Sequence, residues 1–311
     1  MAASRLLAFH FQMILPLAVS PDSRKKEEGM VMIELAPEDY YKAFPLLDQV
    51  KINTMFAEVV LRNHIPGRVY VDSRENPRAF YVAHPYRMSL LFGDSGDDSF
   101  THGLYDYITN QSAARHQMEW LQADPAGEWS RVIDSMLASH NSSLEDHGLS
   151  PDDLENKKIQ RNTRVNFSFD RDAYLDAKQN FPRHEEPVVS LTKELFFAQS
   201  GSVVPRFFWR DAEHFADKGV GYSLLREGEV ASTSFSAFLS ASQLEIGIET
   251  SDAHRGQGYA ISVCSALIDY CLERNLEPVW ACRLENQGSY NLAQKLGFRP
   301  SVILPYYRLP V

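Results

Sequence analysis

The sequence predicts an α/β protein of the α+β type, in which an α+β N-terminal domain precedes a C-terminal domain with a mixed sheet and flanking helices. Three observations support this prediction. First, 311 residues exceed what one hydrophobic core usually supports, so two domains are the default expectation. Second, three strand-like segments, 221–226, 230–239 and 244–250, follow one another with short turns between them. Third, a glycine turn then leads into a helical pattern, and a further strand and helix follow.

The individual elements are predicted from apolar spacing and from the positions of glycine and proline. After Pro37, apolar residues at helical spacing predict a helix that ends before Ile65-Pro-Gly67. We expect residues 35–185 to form the first domain and residues 186–311 the second, with the boundary at 181–187. The other predicted elements are, in chain order, strands at 68–72, 79–83 and 88–92, helices near 100–112 and 127–139, a strand at 164–169, helices at 170–180 and 209–218, the three strands named above, a helix at 258–274, a strand at 278–282, a helix at 287–295, and one or two closing strands at 302–310.

Charge and composition exclude several classes of function. A net charge of -10 opposes nucleic acid as the main partner, because a phosphate backbone selects basic surfaces. It is compatible with a cationic partner such as an amine. The three cysteines, Cys264, Cys271 and Cys282, are odd in number and clustered, which favours buried small side chains over a disulfide framework. The histidines and cysteines show no metal-ligand spacing, so we expect a cytoplasmic protein with no metal site and no membrane segment.

Residues 1–34 are predicted to be a leader that is either disordered or an artefact of the assigned start. Its apolar run is interrupted by polar residues and a proline, which makes it a poor signal peptide. Lys25-Lys-Glu-Glu-Gly29 is what a translated ribosome-binding site would encode, and Met30 follows at once. We therefore expect native translation to start at Met30 or Met32.

The segment Arg255-Gly-Gln-Gly-Tyr-Ala260 lies between a predicted strand and a predicted helix. The first turn of a helix has unpaired N–H groups and a partial positive charge, which together favour phosphate oxygens. Gly256 and Gly258 allow the backbone to approach a pyrophosphate closely, and Arg255 adds a fixed positive charge. The segment is therefore a candidate phosphate-binding loop.

Two motifs together resemble the GNAT acyltransferases. Arg255-Gly-Gln-Gly-Tyr-Ala260 is similar to their Arg-Gly-x-Gly-x-Gly/Ala pyrophosphate loop. Asn286-Gln-Gly-Ser289 and Ala293-Gln-Lys-Leu-Gly-Phe298 are similar to their downstream Asn…Leu-Gly-Phe element. The resemblance implies a C-terminal GNAT fold with a mixed, splayed sheet, and it implies acetyl-CoA as the co-substrate without any metal.

Further motifs resemble the two-domain GNAT group that includes zwittermicin A resistance proteins. They include Glu245-Ile-Gly-Ile-Glu-Thr250, the pattern Pro278-x-Trp-x-Cys282 and, in the first domain, Val69-Tyr-Val-Asp72 and Phe92-Gly-Asp94. This resemblance covers nearly the whole chain from about residue 35. A degenerate GNAT-like unit is then one interpretation of the first domain, which would cover one side of the acceptor cleft.

The resemblance assigns the cofactor contacts residue by residue. The pyrophosphate is expected on the backbone N–H groups of Gln257, Gly258, Tyr259 and Ala260, beside Gly256 and Arg255. The pantetheine arm is expected to pair with the strand from Ile248 to Thr250, and Asn286 to hydrogen-bond that arm. Helix N-capping is the alternative role for Asn286.

The acceptor amine must lose a proton before it attacks, and a carboxylate can accept that proton. Glu245 lies where many members of the superfamily carry a base and is the first choice; Glu249, four residues later on the same strand face, is the second. Surface or ion-pair roles remain the alternative for both. The family's usual acid is a tyrosine seven residues after the Asn, where this sequence has Ala293; Ser289 fits a variant pattern that could hydrogen-bond the sulfur or the pantetheine.

The function implied is transfer of an acetyl group from acetyl-CoA to the amine of a small molecule by direct attack in a ternary complex, as in antibiotic self-protection. Two alternatives stay open: acetylation of a protein or peptide amine, and a non-catalytic CoA-binding sensor that has lost its acid. A monomer or a homodimer is expected.

Overall fold

A computed structural model describes residues 32–145 and 148–311. The leader was predicted over residues 1–34; its part at 1–31 lies outside the described residues, and Ile33–Glu34 is a strand paired with Tyr70 and Val71. The strands are β1 (Ile33–Glu34), β2 (Arg68–Val71), β3 (Ala79–His84), β4 (Met88–Gly93), β5 (Glu119–Ala123), β6 (Gln160–Phe169), β7 (Val188–Ser190), β8 (Gly221–Arg226), β9 (Glu229–Leu239), β10 (Gln243–Thr250), β11 (Glu277–Arg283) and β12 (Phe298–Leu309). The α-helices are α1 (Phe44–Leu47), α2 (Met55–Leu61), α3 (Asp98–Thr109), α4 (Trp129–Glu145), α5 (Pro151–Lys157), α6 (Arg171–Lys178), α7 (Lys193–Ala198), α8 (Ala212–Lys218), α9 (Tyr259–Glu273) and α10 (Gln287–Lys295). Short 3-10 helices occupy Pro37–Ala43, Pro205–Phe207 and Asp252–His254.

All of these strands join one mixed sheet, in the order β1-β2-β3-β4-β5-β12-β6-β11-β10-β9-β8-β7. Within the described residues the pairs β4–β5 and β10–β11 are parallel and the other neighbours are antiparallel. The fold class predicted from the sequence, a mixed sheet with flanking helices, is confirmed. No helix in the described part of the chain has both the length and the apolar character to cross a bilayer.

The order of elements occurs twice along the chain. A first half runs from β1 to β6 and a second from β7 to β12. Each half has a short strand, a helical pair, three antiparallel strands, a helix, a strand parallel to the third, at least one more helix, and a long final strand. The domain boundary at 185/186 stays a prediction, and β7 begins the second set of elements just beyond it.

The final strand of each half lies in the sheet of the other half. β6 pairs with β11, and β12 pairs with β5. β6 and β12 then pair with each other from Phe298 opposite Phe169 to Arg308 opposite Gln160. The centre of the sheet is therefore built from strands that the two halves exchange.

The helices begin where polar side chains cap them. Asp97, Asp170 and Asp211 each accept a hydrogen bond from the backbone N–H three residues later, at the starts of α3, α6 and α8. Thr192 and Ser150 do the same for α7 and α5. The helices α3, α6 and α8 were predicted from apolar spacing, whereas α7 was not predicted.

The long helix predicted after Pro37 is wrong, because it is divided into a 3-10 turn, α1 and α2. The break covers residues 48–54, where Asn53 donates its backbone N–H to the Asn166 side chain 2.9 Å away. Tertiary hydrogen bonds there replace the helical ones. The prediction also missed β5, in which Glu119 and Gln122 are buried polar residues that conceal the strand pattern.

One apolar core connects the two halves on the face that carries the site. It combines α2, β3 and β4 with Phe208, Phe215 and Phe235 of the second half. A second cluster packs α9 and α10 against the opposite face of β10 and β11, around Leu244 and Trp280. β10 is thus held from both sides.

Candidate active site

Strands β10 and β11 pair at one end and separate at the other. Their parallel pairing ends at Glu245 of β10 and Val279 of β11. From there β11 pairs with β6 through Trp280–Arg283, whereas β10 continues along β9 to Thr250. The ladder between β9 and β10 shifts register between Glu245 and Ile246, where the strands separate. In the described structure, the edge of β10 that faces β11 therefore has no strand partner from Ile246 to Thr250.

The predicted phosphate-binding loop lies at the end of this open edge. Gly256 has a φ of 77° and Gly258 a φ of 84°, values that glycine adopts without strain. Gly258 is the N-cap of α9, and no side chain caps this helix within the described residues. The N–H groups of the first turn, at Tyr259 and Ala260, therefore point out of the helix. The loop and helix together form an anion cradle at the mouth of the fork.

The loop carries one exposed cation. The Arg255 guanidinium is 2.8 Å from the Asp252 carboxylate and 4.0 Å from that of Glu249. Its Nε also donates to the carbonyl of Thr250 at 3.4 Å. Because 65% of the Arg255 side chain is exposed, it can turn toward an anion above the loop. Among the residues that the structure describes, no three His, Cys, Asp or Glu side chains converge as a metal site.

The side chains of β10 alternate between two faces. Leu244, Ile246 and Ile248 pack on the α9 side. The alternation of a strand therefore places Glu245 and Glu249 on the opposite face, toward the core shared by the two halves. The structure thus brings both predicted carboxylates to the face on which the halves meet.

Glu245 is buried between the two halves. Only 5% of the residue is exposed. Its Oε2 accepts a 2.6 Å hydrogen bond from Asn53 Nδ2, and its Oε1 lies 3.9 Å from Arg164 Nη2. Burial raises the pKa of the Glu245 carboxyl, while Arg164 and the Asn53 hydrogen bond oppose that rise. Such a carboxyl has a higher proton affinity than one in water.

Glu249 holds a loop in place. Its Oε2 accepts hydrogen bonds from the backbone N–H groups of Ser202 and Val203, both at 2.9 Å. Gly201 has a φ of 115°, and a Cβ added there would lie 2.5 Å from the same oxygen. The Glu249 carboxylate therefore fixes the segment 201–203 beside the fork, and one of its oxygens is already engaged.

Ser289 and Asn286 lie together at the start of α10. The Asn286 side chain accepts a hydrogen bond from the backbone N–H of Ser289 at 3.1 Å, so Asn286 caps the helix. Ser289 Oγ accepts from Trp280 Nε1 at 3.2 Å. Burial raises the pKa of the neighbouring Cys282 thiol, and a hydrogen bond with Ser289 partly offsets it. Ser289 therefore contacts the arm of the fork formed by β11, and Asn286 lies beside it at the start of α10.

Ala293 is fully buried in the core beneath α10. A tyrosine at this position would have no room without displacing that core. Tyr290, one turn earlier, packs its ring against Phe167 with a centroid distance of 5.5 Å. In the GNAT acyltransferases that the sequence resembles, this position usually supplies the acid. In this chain the residue there, Ala293, packs in the core instead.

The corresponding part of the first half lacks these features. The parallel pair β4–β5 continues to Leu91 opposite Ala123, and the next N–H, that of Asp124, donates to the Leu91 carbonyl at 2.9 Å. No register shift occurs between β3 and β4. The following helix, α3, is capped by the carboxylate of Asp97. A closed strand pair and an acidic cap make this half a poor anion site.

Sequence reasoning missed the residues that surround Glu245. Asn53 comes from the break between α1 and α2, and Arg164 and Asn166 come from β6. Arg164 and Asn166 are 8% and 6% exposed, although they alternate with buried apolar residues. Arg164 and Asn166 could have been recognised as candidate site residues, because charged and amide side chains are unusual in a strand that also carries a buried apolar face. The approach of Asn53 had no signal, because it depends on how the halves pack.

Comparisons with known proteins identify the family of this chain. The family profile described as GNAT acetyltransferase matches residues 45–307. An uncharacterized N-acetyltransferase of Bacillus subtilis, YdfB, is 26% identical over 269 residues, which are 86% of this chain and 95% of that protein.

Two solved structures share the fold over most of the chain. A GCN5-related N-acetyltransferase-like protein from Streptococcus suis superposes with a TM-score of 0.62 at 20% identity, covering 87% of this chain and 98% of that one. A tandem GNAT protein from the clavulanic acid biosynthesis pathway superposes with a TM-score of 0.56 at 10% identity, covering 89% and 97%. At these identities the likeness concerns the fold alone.

Proposed function

The chain belongs to the GNAT acetyltransferase family, and on this premise we propose that it moves an acetyl group from acetyl-CoA to the amine of a small molecule in a ternary complex. The family makes it an acyltransferase. The observation that carries the proposal is the open edge of β10 leading to the uncapped first turn of α9. That combination supports a ligand with an amide-rich arm and a pyrophosphate.

The residues present fit acetyl-CoA, which supplies an acetyl group activated as a thioester. We assign the pyrophosphate to the N–H groups of Gln257, Gly258, Tyr259 and Ala260. The pantetheine arm is assigned to the open edge from Ile248 to Thr250. The Asn286 cap uses Oδ1, so its Nδ2 is the donor that we assign to the arm.

Glu245 is the residue to which we assign proton acceptance. A primary alkylamine with a pKa near ~10.4 is almost wholly protonated at neutral pH, so a base must remove its proton. Asn53 Nδ2 now donates to Glu245, and an amine nitrogen can take the same place. We assign Glu249 to loop anchoring, because its Oε2 is engaged by two backbone N–H groups.

Ser289 is assigned to the sulfur end of the arm. Its Oγ accepts from Trp280 and its hydroxyl also hydrogen-bonds the Cys282 thiol, so its hydrogen serves the arm by turning away from Cys282. Ala293 is buried in the core and cannot act as an acid. We therefore assign a hydrogen bond from the Ser289 hydroxyl to the leaving CoA thiolate, which is stable enough to leave without a strong acid.

A small acceptor is favoured over a protein or peptide, because Glu245 is buried beneath Asn53 rather than lying in an open groove. An antibiotic or self-protection role, a cytoplasmic location, and a monomeric or homodimeric state remain parts of the proposal that rest on resemblance and composition.

The proposal is tested by release of the CoA thiol from acetyl-CoA in the presence of polyamines, aminoglycosides and amino acids. We expect at least one amine class to release CoA in proportion to acetylated product. Tight acetyl-CoA binding without turnover across the panel would instead support the sensor alternative.

The cofactor assignment is tested by replacing two glycines that share a backbone conformation. Gly256 and Gly148 have φ values of 77° and 63°, and a Cβ at either would meet no atom within 4 Å. Alanine at either site should cost about 1 kcal/mol of stability by strain. Only Gly256→Ala should raise the Kd for CoA, about 10-fold, because its Cβ enters the space over the loop. Titration calorimetry of both variants measures the Kd for CoA. Equal Kd values in the two variants would contradict the assignment of the pyrophosphate to this loop.

A further inference from the structure

The face of the sheet beside Glu245 carries two arginines directly opposite each other. Arg283 of β11 pairs with Arg164 of β6, and residues opposite each other on antiparallel strands project from the same face. Like charges in such a pair repel each other, so their placement has an energetic cost. In a chain of net charge -10, this local excess of positive charge requires an explanation.

Aromatic rings hold both guanidinium groups in place. Arg164 lies over the Tyr306 ring at 5.1 Å, and Arg283 lies over the Trp120 ring at 4.7 Å. The two rings stack on each other with a centroid distance of 4.8 Å. Stacking uses the guanidinium faces and leaves their N–H edges for hydrogen bonds. The face is thus a rigid pair of cationic hydrogen-bond donors.

Carboxylates in the described part of the chain do not satisfy these donors. Within the described residues, Glu245 is the one carboxylate within 4.0 Å of Arg164, and Arg283 has none. The 3.9 Å separation from Glu245 is beyond hydrogen-bond range. Arg164 and Asn166 are each more than nine-tenths buried. Within the described residues, Arg164 Nε and Asn166 Nδ2 nevertheless have no hydrogen-bond partner. Buried donors of this kind normally have an acceptor.

We propose that the acceptor amine carries a carboxylate a few bonds away, as α- and β-amino acids do. The carboxylate is bound by Arg164 and Arg283, with Asn166 as a further donor. The amine replaces Asn53 Nδ2 on Glu245, whose Oε1 is 3.9 Å from Arg164, so the two charged ends of one small molecule match the two charges of the face. This inference rests on the proposed function and narrows its substrate class.

The test compares kcat/KM, measured by CoA release, for L-lysine, L-phenylalanine and glycine with that for each decarboxylated amine and each methyl ester. Rates are corrected for the neutral fraction of each amine, because the carboxylate and the ester also change the pKa of the amine. The free amino acid should exceed both its amine and its ester at least ~10-fold in one or more sets, because a site built to bind a polar group rejects analogues that lack it.

Arginine variants connect that preference to the face. Arg283→Gln, at a half-buried site, should reduce the preference at least ~5-fold, through a rise in the KM of the free amino acids. Arg299→Gln is the matched control, since Arg299 is an exposed arginine on β12 whose nearest acid is Asp170 at 3.7 Å. Melting temperatures of both variants show whether the fold is retained. Arg164→Gln is used in addition if it folds.

The outcomes separate the two proposals. Equal or better use of the decarboxylated amines, or a preference that Arg283→Gln leaves intact, overturns the carboxylate inference while acetyl transfer to amines stands. Failure of every amine to release CoA from bound acetyl-CoA overturns the proposed function itself. A preference for amino acids that is lost in Arg283→Gln and kept in Arg299→Gln supports both.

Discussion

Glu245→Gln is expected to lower kcat for acetyl transfer about 100- to 10,000-fold, the range found when a positioned general base is removed. Glutamine has nearly the same shape and can still accept the hydrogen bond from Asn53, but it cannot accept a proton from the amine. The Kd for acetyl-CoA should stay unchanged, because no atom of Glu245 belongs to the loop or to the open edge of β10.

The pH dependence of acetyl transfer should also identify Glu245 as the base. The base must be ionised, and burial raises its pKa above the ordinary value, with Arg164 and Asn53 opposing. Activity is therefore present above the Glu245 pKa and lost as pH falls through it, with the acidic limb displaced upward from that of an exposed carboxylate. The variant should lack this limb, which a pH profile of kcat/KM measures.

Glu277→Gln is the matched control for this experiment. Glu277 is an exposed carboxylate at the first residue of β11, opposite Gln243 in the paired part of the two strands and away from the fork, so the same chemical change there should leave kcat unaltered. Retention of more than about a third of the wild-type kcat in Glu245→Gln would contradict general-base catalysis at this residue, given the size of the effect such a base normally contributes. Glu249 would then be the next residue to test.

Acidification from pH 7.5 to pH 5 is expected to remove about 2 kcal/mol of the free energy of unfolding through His84 alone. His84 is 3% exposed, its Nδ1 accepts the backbone N–H of Tyr86 at 2.9 Å, and its ring packs edge-on against Phe238. Burial lowers its pKa from 6.5 to about 3. The folded protein therefore keeps the ring neutral, while the unfolded chain binds a proton below pH 6.5.

The sign follows from which state holds more protons. The contribution of His84 is complete above pH 6.5 and declines as pH falls from there toward about 3. Urea unfolding at pH 7.5 and pH 5 measures it. His84→Asn is the comparison, because asparagine Oδ1 can replace Nδ1 as the acceptor for Tyr86 but does not titrate.

The difference between wild type and His84→Asn isolates this residue. Burial also lowers the pKa of His140 and His214, but both are present in the two proteins and cancel. The variant should lose about 2 kcal/mol less on acidification than the wild type. If both proteins lost the same free energy of unfolding between pH 7.5 and pH 5, protonation of His84 would not be coupled to unfolding, and the prediction would be wrong.

The sequence predicted those parts of the fold that are determined by residues close together in the chain. The loop at 255–260, the strand before it and α9 after it were predicted because glycine spacing and apolar periodicity are local. β5 was missed because Glu119 and Gln122 occupy buried positions, which the apolar pattern cannot indicate. Helix capping by Asn286 was one of two alternatives, and the structure shows the capping hydrogen bond.

The contact between Asn53 and Glu245 could not be predicted, because it depends on how distant segments pack. Asn53 and Glu245 are 192 residues apart in sequence, and nothing near either residue indicates the other. The opposed arginines became visible only once β6 was placed beside β11.

The exchanged strands have a consequence for synthesis of the protein on the ribosome. β5 at residues 119–123 cannot pair with β12 until residues 307–309 have been made, so one edge of β5 lacks its partner strand until then. Contacts this distant in sequence close slowly and leave strand edges exposed to other chains. Stop codons or cleavage before β12 therefore remove far more than the last twelve-residue strand: they leave β5 and β6 as unpaired edges in the middle of the sheet.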